Sequence, residues 1–133
     1  MENVLSSVRG FCQGRLIAVF GCGGDRDPMK RPIMGRIGTE LADIAVITSD
    51  NPRTEEPGKI IADILAGVDA EKYSPIVIEN RVEAIRYAMD IGENRDIIIL
   101  VGKGHETYQE ICGVKYPMDE RQIVAEYLEK TRK

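Results

Sequence analysis

Three short segments concentrate the glycines and charges of this chain: "GCGGDRDPMKRP" from residue 21, "DNPRTEEP" from residue 50 and "GKGHETYQ" from residue 102. Arg26 and Arg53 bring guanidinium groups, whose planar fork binds a carboxylate through two parallel hydrogen bonds. Glu106 brings a carboxylate suited to an ammonium group. A ligand complementary to both carries both charges, as an amino acid does. Pro52 fixes its own φ and biases Asn51 toward extended backbone, so the following arginine leaves from a stiffened support.

Each feature also has a plainer reading. Arg26 between Asp25 and Asp27 equally describes a solvated ion pair worth about 0–1 kcal/mol. Gly21, Gly23 and Gly24 equally describe a tight strand-to-helix turn, and Glu106 a cap or surface charge. Neither glycine-rich segment is a standard phosphate loop. Arg26 stands where the dinucleotide fingerprint needs glycine, and neither "DPMKRP" nor "GKGHE" supplies Gly-Lys-Ser/Thr. His105, the single histidine, has no companion for a metal site.

The surrounding pattern says where these segments sit. "RLIAVF" (15–20), "IAVITS" (44–49), "PIVIEN" (75–80) and "DIIILVG" (96–102) are short, almost wholly apolar runs, as in parallel strands covered on both faces. Between them the period becomes helical. Ile33, Ile37 and Leu41 follow Pro32 at a first helical position, and Ile60, Ile61, Ile64 and Leu65 form a second stripe. Asn80 with Glu83 predicts a capped helix carrying Val82, Ile85 and Met89 and ending at Gly92. Asp119 with Gln122 predicts another, presenting Ile123, Val124, Tyr127 and Leu128. Gly113 within "YQEICGVKYPMD" predicts a hairpin adding an antiparallel edge to the sheet. The expected fold is α/β, a doubly wound and mostly parallel sheet in one domain over residues 1–133. The three segments follow the first, second and fourth strands, where open α/β sheets bind their ligands.

Composition narrows the classes further. A net charge of -4 with no basic cluster argues against nucleic acid, and the longest apolar runs fall far short of the roughly 20 residues of a membrane helix. Cys12, Cys22 and Cys112 are odd in number and lack zinc spacing, which predicts reduced thiols in a cytoplasm. A phosphoacceptor receiver shares the fold class, but "ENRVEAI" after the third strand lacks its aspartate.

In order and spacing, "FGCGGDRDPMKRPIMG", "SDNPRTEEP" and "VGKGHETYQ" resemble the C-terminal, Rossmann-like domain of the MurE type of Mur ligase, over nearly the whole chain. The resemblance implies a part of an ATP-dependent ligase that adds meso-diaminopimelate to UDP-MurNAc-L-Ala-D-Glu in peptidoglycan biosynthesis. It assigns Arg26, Asp50, Asn51, Pro52, Arg53, Gly102 and Glu106 to the diaminopimelate pocket, with Arg53 on the carboxylate that lysine lacks. "DNPR" with "GKGHE" sets it apart from folate and cyanophycin ligases of the same superfamily. ATP, with Mg2+, would phosphorylate the D-glutamate γ-carboxylate on a central domain carrying a Gly-Lys-Thr loop, and the uridine nucleotide would bind an N-terminal domain. Neither domain is represented in these 133 residues, so the expectation is a truncated piece that positions the attacking amine, with no catalytic residue, cofactor site or metal ligand of its own.

Overall fold

The structure, a computed structural model, describes residues 2–24, 27–101, 108–111 and 114–131. Helix α1 (Glu2–Arg9) is followed by β1 (Leu16–Phe20), α2 (Lys30–Leu41), β2 (Ile44–Ile47), α3 (Pro57–Leu65), β3 (Ile76–Val77), α4 (Arg81–Ile91), β4 (Ile97–Leu100), β5 (Tyr108–Ile111), β6 (Val114–Pro117) and α5 (Glu120–Thr131). Four strands pair in parallel in the order β3-β2-β1-β4. The chain therefore builds outward from β1 on one side and returns to its other side with β4. That reversal opens a crevice at the carboxyl ends of β1 and β4.

All five residues of β1 are fully buried because helices cover both faces of the sheet. Leu16, Ala18 and Phe20 enter a core with Leu5 of α1 and Ile60, Ile61 and Ile64 of α3. Ile17 and Val19, alternating with them, enter a second core with Ala84, Ile85 and Ala88 of α4 and Ile123 of α5. The cap at Asn80 forms, its side chain accepting from the Glu83 amide at 3.0 Å; at the last helix the Asp119 carboxylate accepts from the Arg121 amide at 3.0 Å, and the Gln122 side chain turns instead to Glu126 at 3.2 Å.

Five expectations need correction. Helix α2 begins at Lys30, so Pro32 is its third residue and not its first. Helix α2 does not bury Ile33, which is 48% exposed. Its inward face is Arg31, Gly35, Gly38 and Thr39, at helical spacing. Gly38 lies beneath the Phe20 ring and Gly35 against the Ile64 carbonyl, and such close approach turns the larger residues aside. Leu128 is likewise exposed, at the outer side of α5. The third strand shrinks to Ile76–Val77 because it pairs only with β2 and forms the sheet's edge. The hairpin is present as β5 and β6, but its strands pair with each other in a separate two-stranded sheet. Gly113 lies outside the described residues.

The loop before β4 is tied to the start of β1 by Asp96, which accepts from the Arg15 amide at 2.7 Å, from Arg15 Nη2 at 2.8 Å and from the Glu93 amide at 2.9 Å. These donors, the Arg15 amide first, hold its carboxyl down to about 2. A depressed folded-state value means that protonation opposes folding. Asp96→Asn is therefore expected to lower Tm at neutral pH, with the difference from the parent shrinking as pH falls from about 4 toward about 2. Thermal melts of both proteins across that window test this; a difference independent of pH would exclude the carboxylate as its source.

Candidate functional site

The segment 21–24 leaves β1 and the segment 48–53 leaves β2, side by side because the strands are neighbours. The ladder continues past them: the Thr48 amide donates to the Phe20 carbonyl at 2.9 Å, and the Gly24 amide to the Asn51 carbonyl at 2.7 Å. A β-carbon on Gly24 would stand 1.8 Å from the Pro52 carbonyl oxygen, so the two backbones touch as only glycine permits. Asn51 is 2% exposed and Pro52 is buried, while Asp50 and Arg53 are half-buried at the rim.

Arg53 closes this joint. Its φ is 52°, a left-handed conformation uncommon for a long side chain and costing roughly 1–2 kcal/mol. From there its Nη1 donates to the Gly24 carbonyl at 3.0 Å and lies 3.4 Å from the Asn51 carbonyl. A strained backbone and two carbonyl dipoles thus hold one guanidinium over the junction of both segments.

Between the start of the first segment and Asp50 opens a recess of about 460 Å³ whose polar lining includes Asp27, Lys30, Arg31 and Asp50; Arg53 does not line it. Both signs of charge face it, as a zwitterionic ligand requires. Cys22 also lines it, its thiol pushed up to about 11, chiefly by burial, so it is no nucleophile at neutral pH. A smaller recess of about 320 Å³ lies at the amino edge of the sheet, lined by Arg15 and Asp43 and remote from the segments that leave the strands' carboxyl ends.

Two buried arginines that brace these segments escaped the sequence reading. Arg31, 1% exposed, binds both oxygens of Glu55, at 2.9 and 3.0 Å, Asp63 at 2.9 Å and the Gly23 carbonyl at 3.2 Å. It thereby fastens the first segment to the acidic turn after the second, and Glu55 foremost raises its already high pKa. Arg81, also 1% exposed, binds Glu120 and the carbonyls of Ser49 and Val101. For Arg31 a signal existed: it falls at helical spacing from Gly35 and Gly38, on the face whose small residues mark close packing.

Of the predicted site residues, Asp50, Asn51, Pro52 and Arg53 share the carboxyl edge of the sheet. Arg26, Gly102 and Glu106 lie outside the described residues, as do His105 and Cys112. The glycine segment does not fit the phosphates of ATP, because the space beside Gly21 and Gly24 holds the carbonyls of Thr48 and Pro52. Among the described residues no group of three or more metal-ligating side chains is placed to hold Mg2+. Nor, among them, is any helix long and apolar enough to cross a membrane.

A doubly wound sheet with charged segments gathered at the carboxyl ends of its strands is the kind of α/β domain in which ligands bind at that edge. Residues 1–104 match the family described as "Mur ligase, glutamate ligase domain", and the chain belongs to it. It is 52% identical over 130 residues to the UDP-N-acetylmuramoyl-L-alanyl-D-glutamate--2,6-diaminopimelate ligase of Clostridium botulinum, covering 98% of this chain and 26% of that one. The ligase of the same name from Aquifex aeolicus is 50% identical over 128 residues, covering 96% and 26%. A solved structure bearing that ligase name superposes with a TM-score of 0.94 at 39% identity, covering 99% of this chain and 27% of the other. The chain thus spans about a quarter of the length of these relatives.

Proposed function

We propose that this chain is the amino-acid-binding part of an ATP-dependent ligase that joins meso-diaminopimelate to UDP-MurNAc-L-Ala-D-Glu in peptidoglycan biosynthesis. The observation that carries the reading is the Arg53 guanidinium, held by the Gly24 carbonyl at 3.0 Å where the segments after β1 and β2 meet. The relatives named above are diaminopimelate ligases, which supports the choice of amino acid. In this reading Arg53 takes the carboxylate at the far centre of diaminopimelate. Asp50, Asn51 and Pro52 shape the wall around it, and Arg26, the Gly102 backbone and the Glu106 carboxylate complete the diaminopimelate pocket. The domain's contribution to rate is proximity: it delivers the amine oriented toward an activated carboxylate. ATP and Mg2+ then belong to the central domain of the ligase and the uridine nucleotide to its N-terminal domain, all acting in the cytoplasm.

Titration of the 15N-labelled chain with meso-diaminopimelate and with L-lysine tests this reading. The expected result is concentration-dependent shifts at the amides of Gly24, Asn51 and Arg53 with diaminopimelate, much smaller shifts with lysine, and no ATP hydrolysis by this chain alone. Affinity should be weak, because one open face is all that binds. Identical responses to the two amino acids, or shifts confined to the amino edge of the sheet, would remove the assignment.

A further inference from the structure

Arg81 is the first residue of α4, where the helix dipole is positive and a cation is disfavoured, and it is 1% exposed. A buried charge persists in such a place only when its donors are matched. Here every nitrogen of the fork is used. Nε donates to Glu120 Oε2 at 2.8 Å, Nη1 to the Ser49 carbonyl at 3.0 Å and Nη2 to the Val101 carbonyl at 2.9 Å.

The two carbonyls are not arbitrary. Ser49 is the last residue before Asp50, and Val101 the last before Gly102, so each stands at the base of one of the chemistry-bearing segments. Their strands, β2 and β4, are not paired with each other, because β1 lies between them. At the usual spacing they are about 10 Å apart, and no ladder hydrogen bond couples their ends. A guanidinium presents donors in a rigid fork and spans two carbonyls; an ammonium is a single point. Glu120, itself 7% exposed at the start of α5, fixes the fork's rotation.

We infer that Arg81, oriented by Glu120, is a positioning residue that ties the carboxyl end of β2 at Ser49 to the carboxyl end of β4 at Val101, and with it sets the placement of Asp50 to Arg53 in the amino-acid site. What the tie serves rests on the proposed function; the tie itself rests on the three hydrogen bonds.

The test uses two variants in the complete ligase carrying this domain. Arg81→Lys keeps the charge beside Glu120 and loses the bridge. Arg81→Met with Glu120→Leu removes both charges, so no lone carboxylate is left buried. Each is expected to raise KM for meso-diaminopimelate about tenfold or more, the scale of a small misplacement of substrate contacts, and to leave KM for ATP within about twofold. Amide exchange at Ser49 and Val101 should quicken in both. An unchanged KM for diaminopimelate in both variants would overturn the inference. Should the parent ligase fail to use diaminopimelate at all, the proposed function falls instead. Amide exchange then decides the tying role: quickening at Ser49 and Val101 sustains it, and unaltered rates overturn it.

Discussion

Arg53→Ala in the complete ligase is expected to lower kcat/KM for meso-diaminopimelate by at least roughly 30-fold, the scale of truncating one member of a buried charged pair, while L-lysine loses far less. Both amino acids offer a reacting centre and a similar chain, but only diaminopimelate has a second carboxylate. Facing lysine, the parent guanidinium is covered without that partner, and sites built around such a contact reject the analogue lacking it by up to about 10⁴–10⁵-fold. The substitution removes a contact from one substrate and a penalty from the other, so the preference narrows.

The geometry adds a second role that the experiment must separate. Nη1 of Arg53 also braces the Gly24 carbonyl at 3.0 Å, and its backbone sits at a φ of 52°. Arg53→Gly lacks the side chain but relieves that backbone, so it should melt above Arg53→Ala by a margin of about 1–2 kcal/mol. If reading the carboxylate is what matters, both variants lose diaminopimelate activity alike despite their different stabilities. Arg53→Lys should rescue little, since an ammonium cannot make the two-pronged contact. Equal losses for diaminopimelate and lysine would mean that Arg53 only supports the loop.

The layered core was legible because it rests on periodicity. The unbroken apolar run "LIAVF" and the helical spacing in "IIADIL" are local properties, and both segments bury as expected. The caps at Asn80 and Asp119 are equally local. Ile33 failed for a reason periodicity does not hold: Gly35 and Gly38 let α2 pack on its narrow side, so the smallest residues face inward. The site was legible in part. Asp50 to Arg53 stand where their strand places them, but the reason for a glycine at 24 is its contact with Pro52, some 28 positions away in sequence. Buried Arg31 and Arg81 were read past because arginine is mostly a surface residue. Their partners Asp63 and Glu120 lie far along the chain, and only the fold brings them near.

That long-range contact carries the other large expected effect. Gly24→Ala places a methyl group 1.8 Å from the Pro52 carbonyl oxygen and 2.5 Å from its carbon. Both obstacles are main chain, so no side chain can swing aside, and the segments must part. Parting them breaks the 2.7 Å bond from the Gly24 amide to the Asn51 carbonyl and removes the carbonyl that holds Arg53. Overpacking of this kind destabilises by about 1–3 kcal/mol, which for domains near this size lowers Tm by about 2–8 °C per kcal/mol. Loss of the Arg53 support adds a fall in diaminopimelate kcat/KM of about 100-fold, as misplaced binding groups produce. Gly58→Ala is the matched control. It lies in the first turn of α3 with nothing within 4 Å of the added carbon, so it should stabilise by about 0.4–1 kcal/mol and leave activity alone. Thermal melts and kcat/KM for the pair decide the matter. If Gly24→Ala keeps parental affinity for diaminopimelate, the contact between the two segments serves the fold alone and the site does not depend on it.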